Sequence, residues 1–198
     1  MNQPKHRFAT YADIEALPPN VVGEILFGAL VTHPRPAPRH AVASSSLGGP
    51  LTEAFQRGRD GPGGWIFMDE PELHLGPHVV VPDIAGWRRE TLPWLPDTAW
   101  IETPPDWACE VLSPATESYD RGSKRQIYAS AGVGHLWLVD PWPKLLEAFV
   151  LSDGGWLLVA SLRDEEEVCV PPFDAISFSL GLLWPFDMPG GGAAPAQP

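Results

Sequence analysis

Two acidic residues lie inside stretches of the sequence that otherwise look like buried strands. Asp83 lies in the apolar run VVVPDIAG, and Glu110 lies in DWACEVLS. Alternate side chains of a strand point to opposite faces, so each acid shares its face with apolar neighbours. A carboxylate in such surroundings is costly unless an ion pair, a proton or a metal ion compensates it. Each of these compensations indicates a different kind of protein.

A lysine on a predicted helix is the cation that could join these two acids. The segment DRGSKRQIYASA predicts a helix over residues 120–131, which Gly132 ends. The residues three, four and seven positions after Lys124 are apolar and share its helical face. Lys124 is therefore expected to point towards the core rather than into solvent.

Two carboxylates and a lysine are a minimal set for metal-assisted hydrolysis of a phosphodiester. Mg²⁺ takes one or two protein carboxylates, together with water and phosphate oxygens, and it lowers the pKa of a bound water. A neighbouring lysine can orient or deprotonate that water, or stabilise the developing negative charge. Glu24, in VVGEILFG, is a fourth candidate of the same kind. A structural ion pair is an equally ordinary interpretation of such acids, and for Glu24 a hydrogen-bonded hairpin residue is the simpler one.

The composition indicates a folded, acidic protein. The chain has 198 residues, 44% of them hydrophobic, and nine tryptophans, which excludes a disordered polymer. Its two cysteines lie in apolar runs and suggest neither a disulfide framework nor a zinc site. The net charge of −12 disfavours non-specific attraction to a polyanion, so any nucleic-acid binding must depend on a local site. We expect one domain over 1–187, a flexible tail over 188–198, a cytoplasmic location and no membrane association.

The elements that must position these residues alternate between strands and helices. The patterns predict, in chain order, a helix over 10–18, a hairpin over 21–33, a helix over 40–58, strands over 65–76, 78–88 and 106–113, a helix over 120–131, a strand over 135–140, a hairpin over 144–160, and a last strand or two over 167–170 and 175–180. Gly48-Gly49-Pro50 predicts a break or kink in the second helix, because proline lacks the amide hydrogen. The order predicts a mixed α/β sheet with helices packed on it.

Four segments together resemble a known family in both order and spacing. They are VVGEILFGALV, VVVPDIAGWRRE, PPDWACEVLSPAT and YDRGSKRQIYASAGVGHLWLVDP, and the likeness extends from about Thr10 to Trp184. They resemble the Uma-two family of restriction-endonuclease-like proteins, which is part of the PD-(D/E)XK nuclease-like superfamily. The resemblance implies an α/β (α+β) fold with a restriction-endonuclease-like mixed central sheet, flanking helices and additional β-hairpins.

The resemblance also implies a role for each candidate residue. It assigns the two metal-binding acids of the superfamily to Asp83 and Glu110. The usual lysine position, two residues after the second acid, is Leu112 here, and the lysine from the following helix matches Lys124 instead. Glu24 matches the acid of the early hairpin that completes the metal site.

These assignments imply a metal-dependent endonuclease acting on DNA, with Mg²⁺ as its cofactor and Mn²⁺ able to substitute. We expect a homodimer, because cutting both strands of a duplex usually needs two sites. Two alternatives stay open. One is a non-catalytic nuclease-fold module with a binding or regulatory role, and the other is a metal-dependent phosphoesterase acting on small molecules.

Three further signals are weaker. Trp87 with Arg88 and Arg89 is the basic and aromatic cluster predicted to contact nucleic acid. The acids and histidines of 69–78 could form a second metal site, although a solvated sheet face explains them better. His40 could contact a phosphate at a helix start, although a capping or surface role is more typical.

Overall fold

The computed structural model of the chain describes residues 7–33 and 36–185; the tail predicted over 188–198 lies outside them. The helices are α1 Tyr11–Glu15, α2 Pro38–Leu51, α3 Glu117–Tyr119 and α4 Arg125–Ala131, with π-helical turns at Thr52–Gln56 and Asp120–Lys124 and a 3₁₀ turn at Leu180–Leu183. The strands are β1 Val22–Leu26, β2 Ala29–His33, β3 Trp65–Asp69, β4 Leu73–Leu75, β5 His78–Val80, β6 Ile84–Arg88, β7 Trp107–Val111, β8 His135–Asp140, β9 Leu145–Ser152, β10 Gly155–Arg163, β11 Glu167–Val168 and β12 Phe178–Ser179. Within the described ranges, no helix is long and apolar enough to cross a membrane.

The fold is a mixed α+β arrangement built on two sheets. The larger has six strands in the order β10-β9-β8-β7-β6-β3, in which β7 and β8 are parallel and the other neighbours are antiparallel. The smaller has the order β2-β1-β5-β4, and β11 pairs with β12. The prediction of a mixed central sheet with flanking helices and additional hairpins is therefore confirmed.

Strand β7 lies in the centre of the larger sheet and is buried throughout. Its two faces belong to two different apolar clusters. Trp107, Cys109 and Val111 pack in the cluster that contains the buried face of α2, while Ala108 packs in the cluster that contains the buried face of α4. Helices thus cover both faces of the sheet, and the alternation predicted from DWACEVLS is present.

Helix α2 does not break at Gly48-Gly49-Pro50, so the prediction of a break is wrong, while that of a kink stays a prediction. The α-helix continues to Leu51 with Pro50 inside it and then changes to the π-helical turn Thr52–Gln56. Buried Leu47 and Leu51, on either side of the glycines, pack in the same apolar cluster as β7. This tertiary packing offsets the poor helix propensity of the glycines and the proline.

The segment predicted as one strand over 78–88 is divided between the two sheets. Strand β5 ends at Val80 in the smaller sheet, and β6 begins at Ile84 in the larger one. Asp83 lies at this junction, where its backbone carbonyl accepts a hydrogen bond from the amide of Glu70 at 3.0 Å. The junction places Asp83 near two other acids: Glu24 in β1 of the smaller sheet and Glu110 in β7 of the larger sheet.

Candidate active site

A pocket of about 260 Å³ opens between the smaller sheet, the start of α2 and the carboxyl end of β7. Asp83, Glu110 and Lys124 all line it, as do His40 and Asp120. Three residues that were predicted to act together, and that are distant in the sequence, are therefore found around one pocket.

Lys124 lies at the centre of a buried cluster of acids. Its Nζ is 2.9 Å from Glu110 Oε1, 3.2 Å from Glu24 Oε1 and 3.4 Å from Asp120 Oδ1. It also donates to the backbone carbonyl of Val81 at 3.1 Å. The side chain is only 3% exposed, which confirms the inward direction predicted from its helical face.

The charge of Lys124 is stabilised by its neighbours. Burial alone would lower its pKa, but the nearby groups, Glu110 first and then Tyr128, Glu24 and Asp120, outweigh that effect and hold the pKa well above its ordinary value. Lys124 is therefore an ammonium group at neutral pH. In this state it can stabilise negative charge and orient a water molecule, but it cannot accept a proton.

Glu110 is held from the α4 side of the sheet. The hydroxyl of Tyr128 donates to Oε1 at 2.5 Å, and Lys124 donates to Oε2 at 3.0 Å. Burial raises the pKa of Glu110 well above its ordinary value; Lys124 opposes this rise, while Asp120, Asp83 and Glu24 add to it. Burial likewise raises the pKa of Asp120. The cluster therefore has more carboxyl groups than its one lysine can neutralise, and either a proton or a cation would compensate the excess.

Asp83 is held from the opposite side, by α2 and by β7. Its Oδ1 is 3.1 Å from Nε2 of His40, and its Oδ2 accepts the backbone amide of Val111 at 2.7 Å. The surface or capping role favoured for His40 is wrong, because this side chain is buried and contacts Asp83. These two contacts fix the carboxylate of a residue that lies outside any strand.

Glu24 lies behind Lys124 and is completely buried. Its Oε1 accepts the backbone amide of Val81 at 2.6 Å, and its Oε2 is 2.5 Å from Nε2 of His33. Burial would raise its pKa, but Lys124, His33 and the Val81 amide together lower it. Because Glu24 is completely buried and does not line the pocket, it is placed to anchor Lys124; its role as a metal ligand stays a prediction.

Sequence reasoning missed three members of this cluster. Asp120 and Tyr128 lie four residues before and after Lys124, so the helical spacing that pointed to Lys124 could have included both. No pattern in the sequence pointed to the contact of His40 with Asp83, since the two residues come from elements that only the fold brings together.

Two other sequence predictions have clear outcomes. Trp87 is completely buried, and its indole N–H donates to the backbone carbonyl of Thr103 at 2.9 Å. It is therefore unavailable to nucleic acid, and the prediction is wrong for Trp87; contacts through Arg88 and Arg89, which are exposed, stay a prediction. In the acidic stretch 69–78, His74 pairs with Glu72 at 2.8 Å and stacks on Trp100, an arrangement that requires no metal.

The donor atoms around the pocket fit a hard divalent cation. In the part of the chain that the structure describes, no three Asp, Glu, His or Cys side chains form a ready-made metal cage. Mg²⁺ does not need one, because it commonly takes one or two carboxylates and completes its shell with water and phosphate oxygens. Asp83 and Glu110 supply such oxygens at the pocket wall, and the excess of carboxyl groups favours a cation there.

Replacing Tyr128 by phenylalanine tests how firmly Glu110 is held. The change removes one buried hydrogen bond to a carboxylate and is expected to lower the free energy of unfolding by about 2 kcal/mol. Urea denaturation measures the effect. Tyr119→Phe, at an exposed position, is the matched control and should change the free energy by less than about 0.5 kcal/mol. Equal values for the two variants would contradict the hydrogen bond.

Comparisons with known proteins agree with this architecture. The chain resembles a crystal structure from Anabaena variabilis ATCC 29413, described as a "putative nuclease belonging to DUF820", with a TM-score of 0.72 and 20% identity over 89% of this chain and 98% of that one. At this identity the likeness concerns the fold. No curated protein matches the chain. The sequence profile of the Uma2 family, described as "Putative restriction endonuclease", matches residues 8–182. These residues include the whole cluster around Lys124, and the chain belongs to the Uma2 family.

Proposed function

We propose that the protein is a Mg²⁺-dependent endonuclease that hydrolyses phosphodiester bonds in DNA. The observation that carries the proposal is the Lys124 ammonium, buried among carboxylates at the wall of a pocket that Asp83 and Glu110 also line. Membership of the Uma2 family, whose description names restriction endonucleases, supports the reaction class.

Each residue of the site has a separate task in this proposal. Asp83 and Glu110 would hold the cation, which would supply Lewis acidity and lower the pKa of a bound water. Lys124 orients the attacking water and stabilises the negative charge that develops on the phosphate. Glu24 anchors Lys124 through its fully buried carboxylate. Mn²⁺ is expected to replace Mg²⁺, because both accept hard oxygen ligands.

The supporting contacts keep the two metal carboxylates in place. His40 contacts Asp83 from α2, and Tyr128 donates to Glu110 from α4, so each acid is held from a different face of the sheet. Partners of this kind commonly tune the affinity of a metal site. Neither contact requires the side chain itself to meet the substrate.

A non-catalytic binding module is the alternative from another class. The net charge of −12 favours it, because an acidic surface weakens attraction to DNA. The buried Lys124 cluster opposes it, because burying several carboxyl groups at an open pocket costs stability that a binding module has no reason to lose. A phosphoesterase for small molecules would retain the same cluster and differ in substrate.

Cleavage assays separate these functions. The protein should nick supercoiled plasmid and cut labelled single-stranded DNA in Mg²⁺ or Mn²⁺, and EDTA should abolish both activities. Intact DNA together with hydrolysis of bis(p-nitrophenyl) phosphate would favour the small-molecule phosphoesterase. The absence of any hydrolysis, despite a folded protein, would favour the binding module.

The proposal includes a homodimer, since two copies of the site would be required to cut both strands of a duplex at one place. Analytical ultracentrifugation tests this part. A protein that remains monomeric in the presence of DNA and a divalent cation would contradict it.

A further inference from the structure

An arginine and a tryptophan form an exposed pair beside the pocket. The guanidinium carbon of Arg39 lies 5.4 Å from the ring centroid of Trp142. Arg39 is in the first turn of α2, and Trp142 is in the turn that follows β8. The indole is 53% exposed, so much of its surface remains open to solvent.

This exposure distinguishes the pair from the other two cation–π pairs in the described ranges. Arg88 lies over Trp65, and Arg125 lies over Phe149. Both of those rings are buried and belong to the apolar clusters of the core. Packing explains them, whereas packing does not explain the open ring of Trp142.

The pair lies at the same edge of the larger sheet as the pocket. Strands β7 and β8 are parallel, with Val111 opposite Val139, so the turn after β8 and the pocket residues after β7 lie at the same edge of the sheet. On the other side, Ala37 and His40, which flank Arg39 in the first turn of α2, line the pocket. A DNA strand that enters the pocket would pass close to this edge of the sheet.

Hydrogen bonds hold the backbone around Trp142 in the absence of any ligand. Its amide donates to Oδ1 of Asp140 at 3.1 Å, and Nη1 of Arg39 donates to the carbonyl of Pro141 at 3.5 Å. These contacts hold the turn and the arginine together. The backbone that carries the indole therefore needs little reordering when the ring stacks on a flat ligand.

We propose that Arg39 and Trp142 form a strand-binding surface, in which the guanidinium contacts a phosphate of the DNA and the indole stacks on an unpaired base next to the cleaved bond. The inference rests on the proposed nuclease function. It explains how a chain of net charge −12 can hold a polyanion, because stacking on a base does not depend on the total charge. A base that stacks on the indole must be accessible, so the surface favours single-stranded DNA or a locally opened duplex.

Fluorescence anisotropy with two labelled oligonucleotides, in EDTA to prevent cleavage, separates the two contacts. One is an ordinary single strand, and the other has the same length but a central run of abasic sites, which keeps the phosphates and removes the bases. Trp142→Ala should weaken binding of the ordinary strand about tenfold, the loss of one stacked base. It should leave binding of the abasic strand unchanged.

Arg39→Gln should behave differently from Trp142→Ala. It should weaken binding of both oligonucleotides and reduce the slope of log K against log salt by about 0.7, the value for one phosphate of a single strand. Trp142→Phe keeps an aromatic ring and should retain most of the affinity. Arg57→Gln is the matched control, because Arg57 lies beyond the far end of α2, whose 14 residues alone span about 21 Å.

The outcomes distinguish this surface from the nuclease function itself. Suppose that the wild type binds and cuts DNA, and that Trp142→Ala and Arg39→Gln bind DNA with the same affinity as the control Arg57→Gln. The proposal of a strand-binding surface is then wrong, and the nuclease function stands. An equal effect of Trp142→Ala on both oligonucleotides would also refute base stacking. If the wild type neither binds nor cuts DNA in any metal, the proposed function fails first and this surface fails with it.

Discussion

Replacing Lys124 by methionine is expected to lower the free energy of unfolding by about 3–5 kcal/mol and to reduce DNA cleavage at least about a hundredfold. The Nζ of Lys124 lies within 3.4 Å of Glu110, Glu24 and Asp120, and the side chain is buried. Methionine has a similar volume but no charge. Its presence would leave three buried carboxyl groups without their cation, and it would remove the ammonium group proposed to stabilise the phosphate.

Thermal and urea denaturation measure the loss of stability. Because a protein of this size loses about 2–4 °C in Tm for each kcal/mol, the Tm should fall by about 6–20 °C. Arg59→Met is the matched control, since it breaks an exposed ion pair with Glu53 and should cost at most about 1 kcal/mol. Equal losses in the two variants would contradict the central position of Lys124.

A double variant tests the electrostatic cause. Adding Glu110→Gln to Lys124→Met removes the charge that the first change leaves uncompensated. The double variant should therefore be more stable than Lys124→Met alone, which is the coupling expected for two groups in direct contact. If the two changes simply add, the loss in Lys124→Met comes from packing and not from charge.

Replacing Glu110 by glutamine is expected to abolish the stabilisation of the protein by Mg²⁺. For the wild type, Mg²⁺ at about a hundred times its Kd should add about 2.7 kcal/mol of stability, or about 5–10 °C in Tm. Glutamine is nearly the same shape as Glu110 but supplies no charged oxygen to the cation. Asp83→Asn should have the same effect for the same reason. Titration of Tm with Mg²⁺ and with Mn²⁺ measures the response.

Glu24→Gln is the informative comparison in this experiment. Glu24 is completely buried behind Lys124 and does not line the pocket, so this variant should melt at a lower temperature without metal yet keep the shift that Mg²⁺ produces. Loss of the shift in Glu24→Gln would instead make Glu24 a metal ligand. A wild-type Tm that does not respond to any divalent cation would remove the metal from the proposal altogether.

The chemistry of the site could be largely predicted from local patterns. An acid inside an apolar strand identified Glu110, and an inward-facing lysine on an amphipathic helix identified Lys124. Both inferences concern burial within a single element, and periodicity reports burial directly. The resemblance to the Uma-two family drew on the same segments and added the order in which they follow one another.

The local patterns were less informative where two sheets meet. Asp83 was predicted within a strand, whereas it lies at the junction between β5 and β6. The sequence VVVPDIAG reads as one apolar run, and no local signal says that its two halves pair with different neighbours. Which strands pair is decided by backbone hydrogen bonds between residues that are distant in the sequence. A short stretch of sequence carries no information about these bonds.

The amino-acid sequence by itself indicated that Glu110 and Lys124 are buried, because the alternation of apolar and polar residues follows the geometry of one strand or one helix. The tertiary structure alone decided which side chains meet. His40 contacts Asp83 across 43 residues, and Arg39 contacts Pro141 across 102. It also decided that Trp87 lies in the core while Trp142 lies open beside the pocket. The physical reason is that such contacts depend on how separate elements pack together, which no periodicity within a single element encodes.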